Sequence, residues 1–309
     1  MLITVVAPEF DISEHWLAQC RNAFSAGTFS VNEEALAKEV SIAIVDGPPP
    51  GALRKFEALR LIISLSNGVD GLLSDHALPN VPIVRLVPTE MSALMAEYVV
   101  YQALRIHRGF AELDRLQAQR KWDWQAGALC AHERRVLVLG LGVLGRAAAI
   151  ALRDIGFEVF GWSRTSAEIP GVKTLVGKRG LEYALSHSDI VVCLLPLTDE
   201  TRGILSAPLF DLLRRGAAVI NVSRGACLNE ADLVSALDCG QLGCAALDVF
   251  ETEPLPSSSS LWTHPKIFVT PHTASYPCPD AFIAPLGTVL SSFIANKPLA
   301  NIVNRQRGY

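Results

Sequence analysis

The sequence predicts two doubly wound parallel α/β domains, and three observations carry that prediction. The chain has 309 residues, more than the roughly 100–200 expected of one domain. Short apolar runs alternate with helical-period segments in two separate series, as strands do when helices cover both faces of a parallel sheet. At the head of the second series stand Gly140, Gly142 and Gly145, directly after a strand-like run and before an alanine-rich helix.

The first series comprises ITVVA, IAIV, LIISL and IVRL, all within the first ninety residues and each followed by more polar sequence. From Thr89 to about Arg120 the spacing of Met91, Leu94, Met95, Tyr98, Val99 and Leu104 predicts one long helix of the kind that bridges domains. The second series then reads RVLVLG, FEVFGW, DIVVCLL, AAVINV, CAALDVF and KIFVT, six predicted strands. Between them lie helix-like stretches. One of these, NEADLVSALDCG, opens at an asparagine suited to capping and closes at Gly240. The last forty residues hold one more helix, which could return to the first domain. The expected domains are therefore 1–100 with 283–309, and 101–282.

Composition narrows the function. Half of the residues are apolar, 19% are charged, and the net charge is −4 with both signs interspersed. No basic stripe suggests nucleic acid and no acidic tail suggests a disordered arm. The seven cysteines show no spacing of a zinc or redox motif, so no metal is expected and the thiols are read as reduced and mostly buried. MLITVVAPEF reads as a first strand rather than a signal peptide, and the uncharged segment 281–296 is broken by Pro285 and Gly287. A cytoplasmic protein acting on small molecules, without a membrane partner, is the expectation.

The glycine loop supplies a more specific one. Gly140 permits a tight turn, Gly142 lets a pyrophosphate approach the backbone, and Gly145 lets helix pack on strand. N–H groups near Val143 and Leu144 would then meet the phosphates at the helix start. A dinucleotide site that takes NAD places an acid at the end of the next strand, where this chain has Trp162, Ser163, Arg164 and Thr165. A guanidinium flanked by hydroxyls suits a 2′-phosphate, whereas a carboxylate would repel one. NADP(H) is thus the preferred cofactor; in the competing reading Arg164 is a solvated charge and NAD(H) binds too.

The series GLGVLGR, WSRT, DIVVCLLPLTDETRGIL, VINVSRGACLNEADLVSAL, ALDVFETEPLP and TPHTAS resembles the D-isomer-specific 2-hydroxyacid dehydrogenases. Within that family, RLVPTEMSALMAEY, PLPSSSSLWTHP and the terminal RGY look like the bacterial glyoxylate/hydroxypyruvate reductases of the A type. The matches run from about residue 60 to the end. The resemblance implies a flavodoxin-like substrate domain, a Rossmann domain for NADP, and a cleft that closes between them. It implies a homodimer paired through the long helix, and a reaction in which NADPH reduces a small 2-oxo acid to its 2-hydroxy acid.

By that resemblance the catalytic trio is Arg224, Glu253 and His272. The chemistry asks for the same types: a proton donor to the carbonyl oxygen, a cation for the substrate carboxylate, and an acid that keeps the imidazole charged. Taken singly, each has a competing structural reading, as a satisfied histidine, an ion-paired arginine or a turn glutamate. Their shared position at the ends of successive predicted strands favours function. The resemblance further places Leu195, Pro196, Asn221, Val222 and Ser223 beside the cofactor, and Asp248 at its nicotinamide amide, against a competing reading of Asp248 as a buried strand-end acid. It assigns the substrate carboxylate to N–H groups of Asn67, Gly68 and Val69, with Arg224 and His272 completing the substrate contacts.

Two departures from the A-type pattern touch substrate choice. Ser66-Asn67-Gly68 replaces a Gly-Ala-Gly, and Asp46 and Gly47 stand where Trp and His are expected. An acid at Asp46 facing the substrate would disfavour a second carboxylate and favour a hydroxylated or basic tail; a solvated loop acid is the competing reading. A bulkier 2-oxo acid, or a dinucleotide-sensing corepressor that binds peptide motifs, are the alternative functions.

Overall fold

The computed structural model describes residues 1–8, 10, 12–31, 34–123 and 129–309. In chain order the elements are β1 (Leu2–Val6), α1 (Glu14–Ala23), β2 (Thr28–Val31), β3 (Val40–Val45), β4 (Leu61–Ser64), α2 (Asp70–Leu73), β5 (Ile83–Arg85), α3 (Thr89–His107) and α4 (Phe110–Ala118). There follow β6 (Arg135–Leu139), α5 (Val143–Ile155), β7 (Glu158–Trp162), β8 (Lys173–Leu175), α6 (Gly177–His187), β9 (Ile190–Cys193), α7 (Ala207–Phe210), β10 (Ala217–Asn221), α8 (Glu230–Asp238), β11 (Leu242–Leu247), β12 (Ile267–Val269) and α9 (Ile283–Ile294). The chain divides into two compact units, Met1–Glu90 with Pro277–Tyr309, and Met91–Tyr276. These edges fall somewhat before the 100 and 282 read from the sequence.

The first unit is built on a five-stranded sheet of order β2-β1-β3-β4-β5. All its pairings are parallel. This is the flavodoxin-like order, with its switch point between β1 and β3. The central strands β3 and β4 read as unbroken apolar runs because both faces are covered; Ile42, Ala43, Ile44, Leu61, Ile62 and Ile63 are fully buried. On one side α1 packs against α9, and the Trp16 indole donates to the Pro279 carbonyl at 2.9 Å.

The second unit carries a seven-stranded parallel sheet of order β12-β11-β10-β9-β6-β7-β8. Renumbered from β6, this is the Rossmann order 3-2-1-4-5-6 with β12 added as a seventh strand. Its core centres on Leu137, Leu139, Val191, Val219 and Leu247. β6 and β9 lie side by side although β7 and β8 intervene in sequence, so a switch point opens at the ends of β6 and β9, beside the glycine loop.

Three features differ from the sequence expectation. β2 and β8 are strands that no apolar run announces: both lie at sheet edges, where Thr28, Ser30, Lys173 and Thr174 interrupt the hydrophobic pattern. The single helix expected from Thr89 to Arg120 is two, because Gly109 adopts φ +64° and ends α3's run before α4 begins. Cys20, Cys193 and Cys227 are buried, but Cys130, Cys239 and Cys278 are exposed, so the expected burial of the thiols holds for fewer than half. Among the described residues, no helix is long and apolar enough to cross a membrane. No cluster of three His, Cys, Asp or Glu side chains there could hold a metal ion.

Candidate active site

The glycine loop joins β6 to α5, and its three glycines do different things. Gly140 has φ +96°, and a Cβ there would meet the Leu194 carbonyl oxygen at 2.6 Å. A Cβ on Gly145 would drive into the Gly140 carbonyl, so this position is closed by the packing of helix on turn. Gly142 is the opposite case: it caps α5 without a side-chain hydrogen bond, and a Cβ there would meet nothing within 4 Å. The first turn of α5, with Val143 exposed and Leu144 buried, therefore presents backbone N–H groups to an open cradle. That cradle fits a dinucleotide pyrophosphate, whose charge the helix start favours.

At the end of β7, the Ser163 N–H donates to the Leu175 carbonyl and its hydroxyl donates to the Thr165 carbonyl at 2.7 Å, closing a tight turn around Arg164. The Arg164 guanidinium lies 4.0 Å from the Glu200 carboxylate, and both side chains are exposed. An exposed pair at that distance is worth little. Past β9, Leu195 is buried and the Pro196 carbonyl accepts from the Thr201 hydroxyl at 2.6 Å.

Past β10 the side chains build a turn. Asn221 is fully buried; its Oδ1 accepts from the Ser223 hydroxyl at 2.8 Å and the Ser223 N–H at 3.2 Å, while its Nδ2 donates to the Arg224 carbonyl at 3.1 Å. Val222 is buried beside them. Asn221 and Ser223 thus shape the backbone that presents Arg224, a task the sequence reading did not give them. Gly225 finishes the turn: any Cβ there would collide with the backbone of Phe250 and Glu251. Its smallness lets the loop after β10 lie directly against the loop after β11.

That second loop carries Glu253, and the loop after β12 carries His272. The His272 Nδ1 lies 2.7 Å from Glu253 Oε2, and Glu253 Oε1 accepts from the Phe250 N–H at 2.8 Å. The hydrogen bond to Glu253 raises the His272 pKa above its ordinary value, outweighing burial. Burial pushes Glu253 the other way, yet the bonds from His272 and the Phe250 N–H, with the charges of His272 and Arg224, leave it lowered. The arrangement favours the charged form of an imidazole that also feels the Arg224 guanidinium. His272 itself has φ +54°, unusual for a residue with a side chain.

Asp248 explains how that backbone is held. It is 1% exposed, and its carboxylate accepts from Thr270 Oγ1 at 2.6 Å, the Thr273 N–H at 2.9 Å and the Ala274 N–H at 2.9 Å. Its own carbonyl accepts from the His272 N–H at 2.8 Å. The competing reading of Asp248, as a buried strand-end acid with partners of its own, describes these contacts.

In the first unit, the loop after β4 contains Asn67, Gly68 and Val69. Their N–H groups have no acceptor among the described residues. Ser66 donates from its hydroxyl to Asp46 Oδ1, and the Arg85 guanidinium donates to the Asn67 carbonyl at 3.3 Å. Asp46 follows β3 as Ser66 follows the neighbouring β4, so acid and loop share the carboxyl edge of one sheet. Asp46 is therefore not merely a solvated loop acid.

Residues 100–274 match the family model described as the D-isomer specific 2-hydroxyacid dehydrogenase NAD-binding domain. The chain belongs to the D-isomer-specific 2-hydroxyacid dehydrogenases. Its relatives in this family include the glyoxylate/hydroxypyruvate reductase A of Yersinia enterocolitica, 35% identical over the whole of both chains. A crystal structure of a D-isomer specific 2-hydroxyacid dehydrogenase from Xanthobacter autotrophicus Py2, in complex with NADPH and MES, is similar with a TM-score of 0.94 and 38% identity, over 100% of this chain and 99% of that one. The NADPH-dependent glyoxylate/hydroxypyruvate reductase of Sinorhizobium meliloti, in complex with NADP and sulfate, gives 0.92 and 34% over the same shares. As a 2-hydroxyacid dehydrogenase the protein is an NAD(P)-dependent oxidoreductase of small 2-oxo and 2-hydroxy acids.

Three residues that pack against or hydrogen-bond the strand-end loops of this dehydrogenase went unassigned in the sequence. Gly225 had a readable signal, a glycine directly after the arginine. Tyr98 and Thr270, whose oxygens lie 2.6 Å apart, had none: the tyrosine counts as one more member of an apolar helical stripe.

Proposed function

We propose that the protein reduces glyoxylate or hydroxypyruvate to the corresponding 2-hydroxy acid with NADPH. The observation that carries this reading is the His272–Glu253 hydrogen bond beside Arg224, assembled from loops after three adjacent strands of the seven-stranded sheet. When bound, the nicotinamide supplies a hydride to the carbonyl carbon. The protein's own groups do the rest. His272 gives its proton to the carbonyl oxygen as charge develops there, and Glu253 steadies the imidazole and keeps it protonated until then. Arg224 holds the substrate carboxylate and polarises the carbonyl. In the first unit, the N–H groups of Asn67, Gly68 and Val69 are of the kind with which a backbone nest binds a carboxylate. In the oxidative direction neutral His272 takes the proton back.

The cofactor residues are assigned on the same footing. Gly140, Gly142, Val143, Leu144 and Gly145 hold the pyrophosphate, while Ser163, Arg164 and Thr165 receive the 2′-phosphate where no strand-end acid repels it. Leu195, Pro196, Asn221, Val222, Ser223 and Asp248 line the nicotinamide half. The likeness to relatives crystallised with NADPH and NADP supports the cofactor choice. Relatives named glyoxylate/hydroxypyruvate reductase support the substrate. Asp46, tied to Ser66 at the substrate loop, favours a 2-oxo acid whose tail donates a hydrogen bond over one bearing a second carboxylate. The exposed Tyr101 of α3 and Phe110 and Leu113 of α4 offer an apolar surface for a homodimer, which light scattering on the purified protein tests.

The test of the activity is a spectrophotometric screen of glyoxylate, hydroxypyruvate, phenylpyruvate and oxaloacetate against NADPH and NADH. The reading expects the highest kcat/KM for hydroxypyruvate or glyoxylate with NADPH. Oxidation of neither cofactor with any 2-oxo acid would refute it.

A further inference from the structure

We propose that Tyr98 is a positioning residue for His272: its hydroxyl anchors a chain through Thr270 to Asp248 that fixes the turn on which the imidazole is carried. The proposal rests on the reading of His272 as the proton donor.

The direction of the chain follows from counting protons. An ionised carboxylate only accepts, so the 2.6 Å contact between Thr270 Oγ1 and Asp248 Oδ1 uses the single hydroxyl proton of Thr270. The 2.6 Å contact between Tyr98 and Thr270 must then be a donation from the tyrosine. Burial pushes the Tyr98 phenol up to about 12, so it keeps its proton at any working pH. Gln102 lies buried one helical turn further along α3, its side-chain oxygen without a hydrogen-bond partner among the described residues.

What the chain grips is the segment around His272. Asp248 binds Thr270 before it and Thr273 and Ala274 after it through its carboxylate, and the His272 N–H through its carbonyl. A non-glycine residue at φ +54° is strained and persists only where its surroundings over-determine it. α3 grips the same segment a second time, where the Ser275 hydroxyl donates to the Met91 carbonyl at 2.7 Å. The titratable and charged groups that act on His272 are Glu253, Arg224 and Asp248. A turn that loosens lengthens the bond to Glu253, the main support of the imidazole's charge, so the His272 pKa falls.

The experiment is a double-mutant cycle of Tyr98→Phe and Thr270→Val, with Thr270→Ser as the conservative control. Each variant is read by kcat, by KM for hydroxypyruvate and for NADPH, and by NMR titration of the His272 imidazole in the full chain labelled at histidine. Tyr98→Phe is expected to lower kcat by about threefold to tenfold, as for one neutral hydrogen bond, with KM for NADPH unchanged. The imidazole titration should move down in pH in the same variant. Thr270→Val should lower kcat further, the double variant should be no worse than Thr270→Val alone, and Thr270→Ser should recover both kcat and titration. Additive losses, or an unmoved His272 titration in Tyr98→Phe, would overturn the proposal. A wild-type chain that reduces no 2-oxo acid would instead remove the functional reading, while the titration would still decide whether Tyr98 positions His272.

Discussion

At the carboxyl edge of the seven-stranded sheet, Glu253 and Asp248 each have donors on both carboxylate oxygens. At the corresponding edge of the five-stranded sheet, the loop after β4 presents N–H groups without acceptors among the described residues, steadied from the side by Asp46 and Arg85. The first edge fixes charges in place, as proton transfer requires. The second offers backbone donors that any carboxylate can use, and leaves discrimination to whatever flanks them. On the proposed function, one fold principle, ligands at the carboxyl ends of parallel strands, would serve chemistry in one sheet and selection in the other.

The comparison breaks most readily at the charged edge. His272→Ala should lower kcat by at least about 100-fold, as for the loss of a general acid, with NADPH affinity retained; steady-state kinetics and fluorescence binding check both. Arg224→Ala should lower kcat and also raise KM for the 2-oxo acid. The glycine loop separates folding from binding next. Gly145→Ala drives a methyl into the Gly140 carbonyl and should cost on the order of 1–3 kcal/mol of stability, seen as a lower melting temperature. Gly142→Ala meets nothing in the free protein and should leave stability within about 0.5 kcal/mol. It should nevertheless weaken NADPH by about tenfold, because the methyl stands where the pyrophosphate approaches. Equal effects of the two substitutions would mean that the cradle is not the phosphate site.

Cofactor and substrate choice sharpen it further. Arg164→Asp should swing the NADPH/NADH ratio of kcat/KM by at least about tenfold toward NADH, since a like charge facing a phosphate costs on the order of several kcal/mol. The smallest effect belongs to the selective edge. Asp46→Asn should change the preference for hydroxypyruvate over oxaloacetate by up to about tenfold while glyoxylate kinetics hold steady. An unaltered ratio would show that Asp46 organises Ser66 without reading the substrate.

Both sheets were legible in the sequence because their central strands, such as 42–45 and 136–139, are buried on both faces and must be apolar throughout. β2 and β8 were not, since an edge strand half in solvent carries Thr, Ser or Lys without penalty. The trio was assigned through the resemblance, since singly a histidine, an arginine or a turn glutamate near a strand end has an ordinary structural reading as well. Tyr98 could not be read: a tyrosine at helical spacing looks the same whether its hydroxyl meets water or, as here, Thr270 from a segment about 170 residues away. Asn221 and Ser223 show the same limit, for their place was predictable while their bonds depend on the turn they form.

The central claim is that Glu253 keeps a proton on His272 for delivery to the substrate. His272 has a raised pKa, so the reductive activity it supports is present below that value and is lost as pH rises through it. The direct measurement is the pH profile of kcat/KM for NADPH-dependent reduction, in wild type and Glu253→Gln. The account predicts an alkaline limb above the ordinary histidine pKa of about 6.5 in wild type, displaced to lower pH in Glu253→Gln. Superimposable limbs in the two proteins would contradict it.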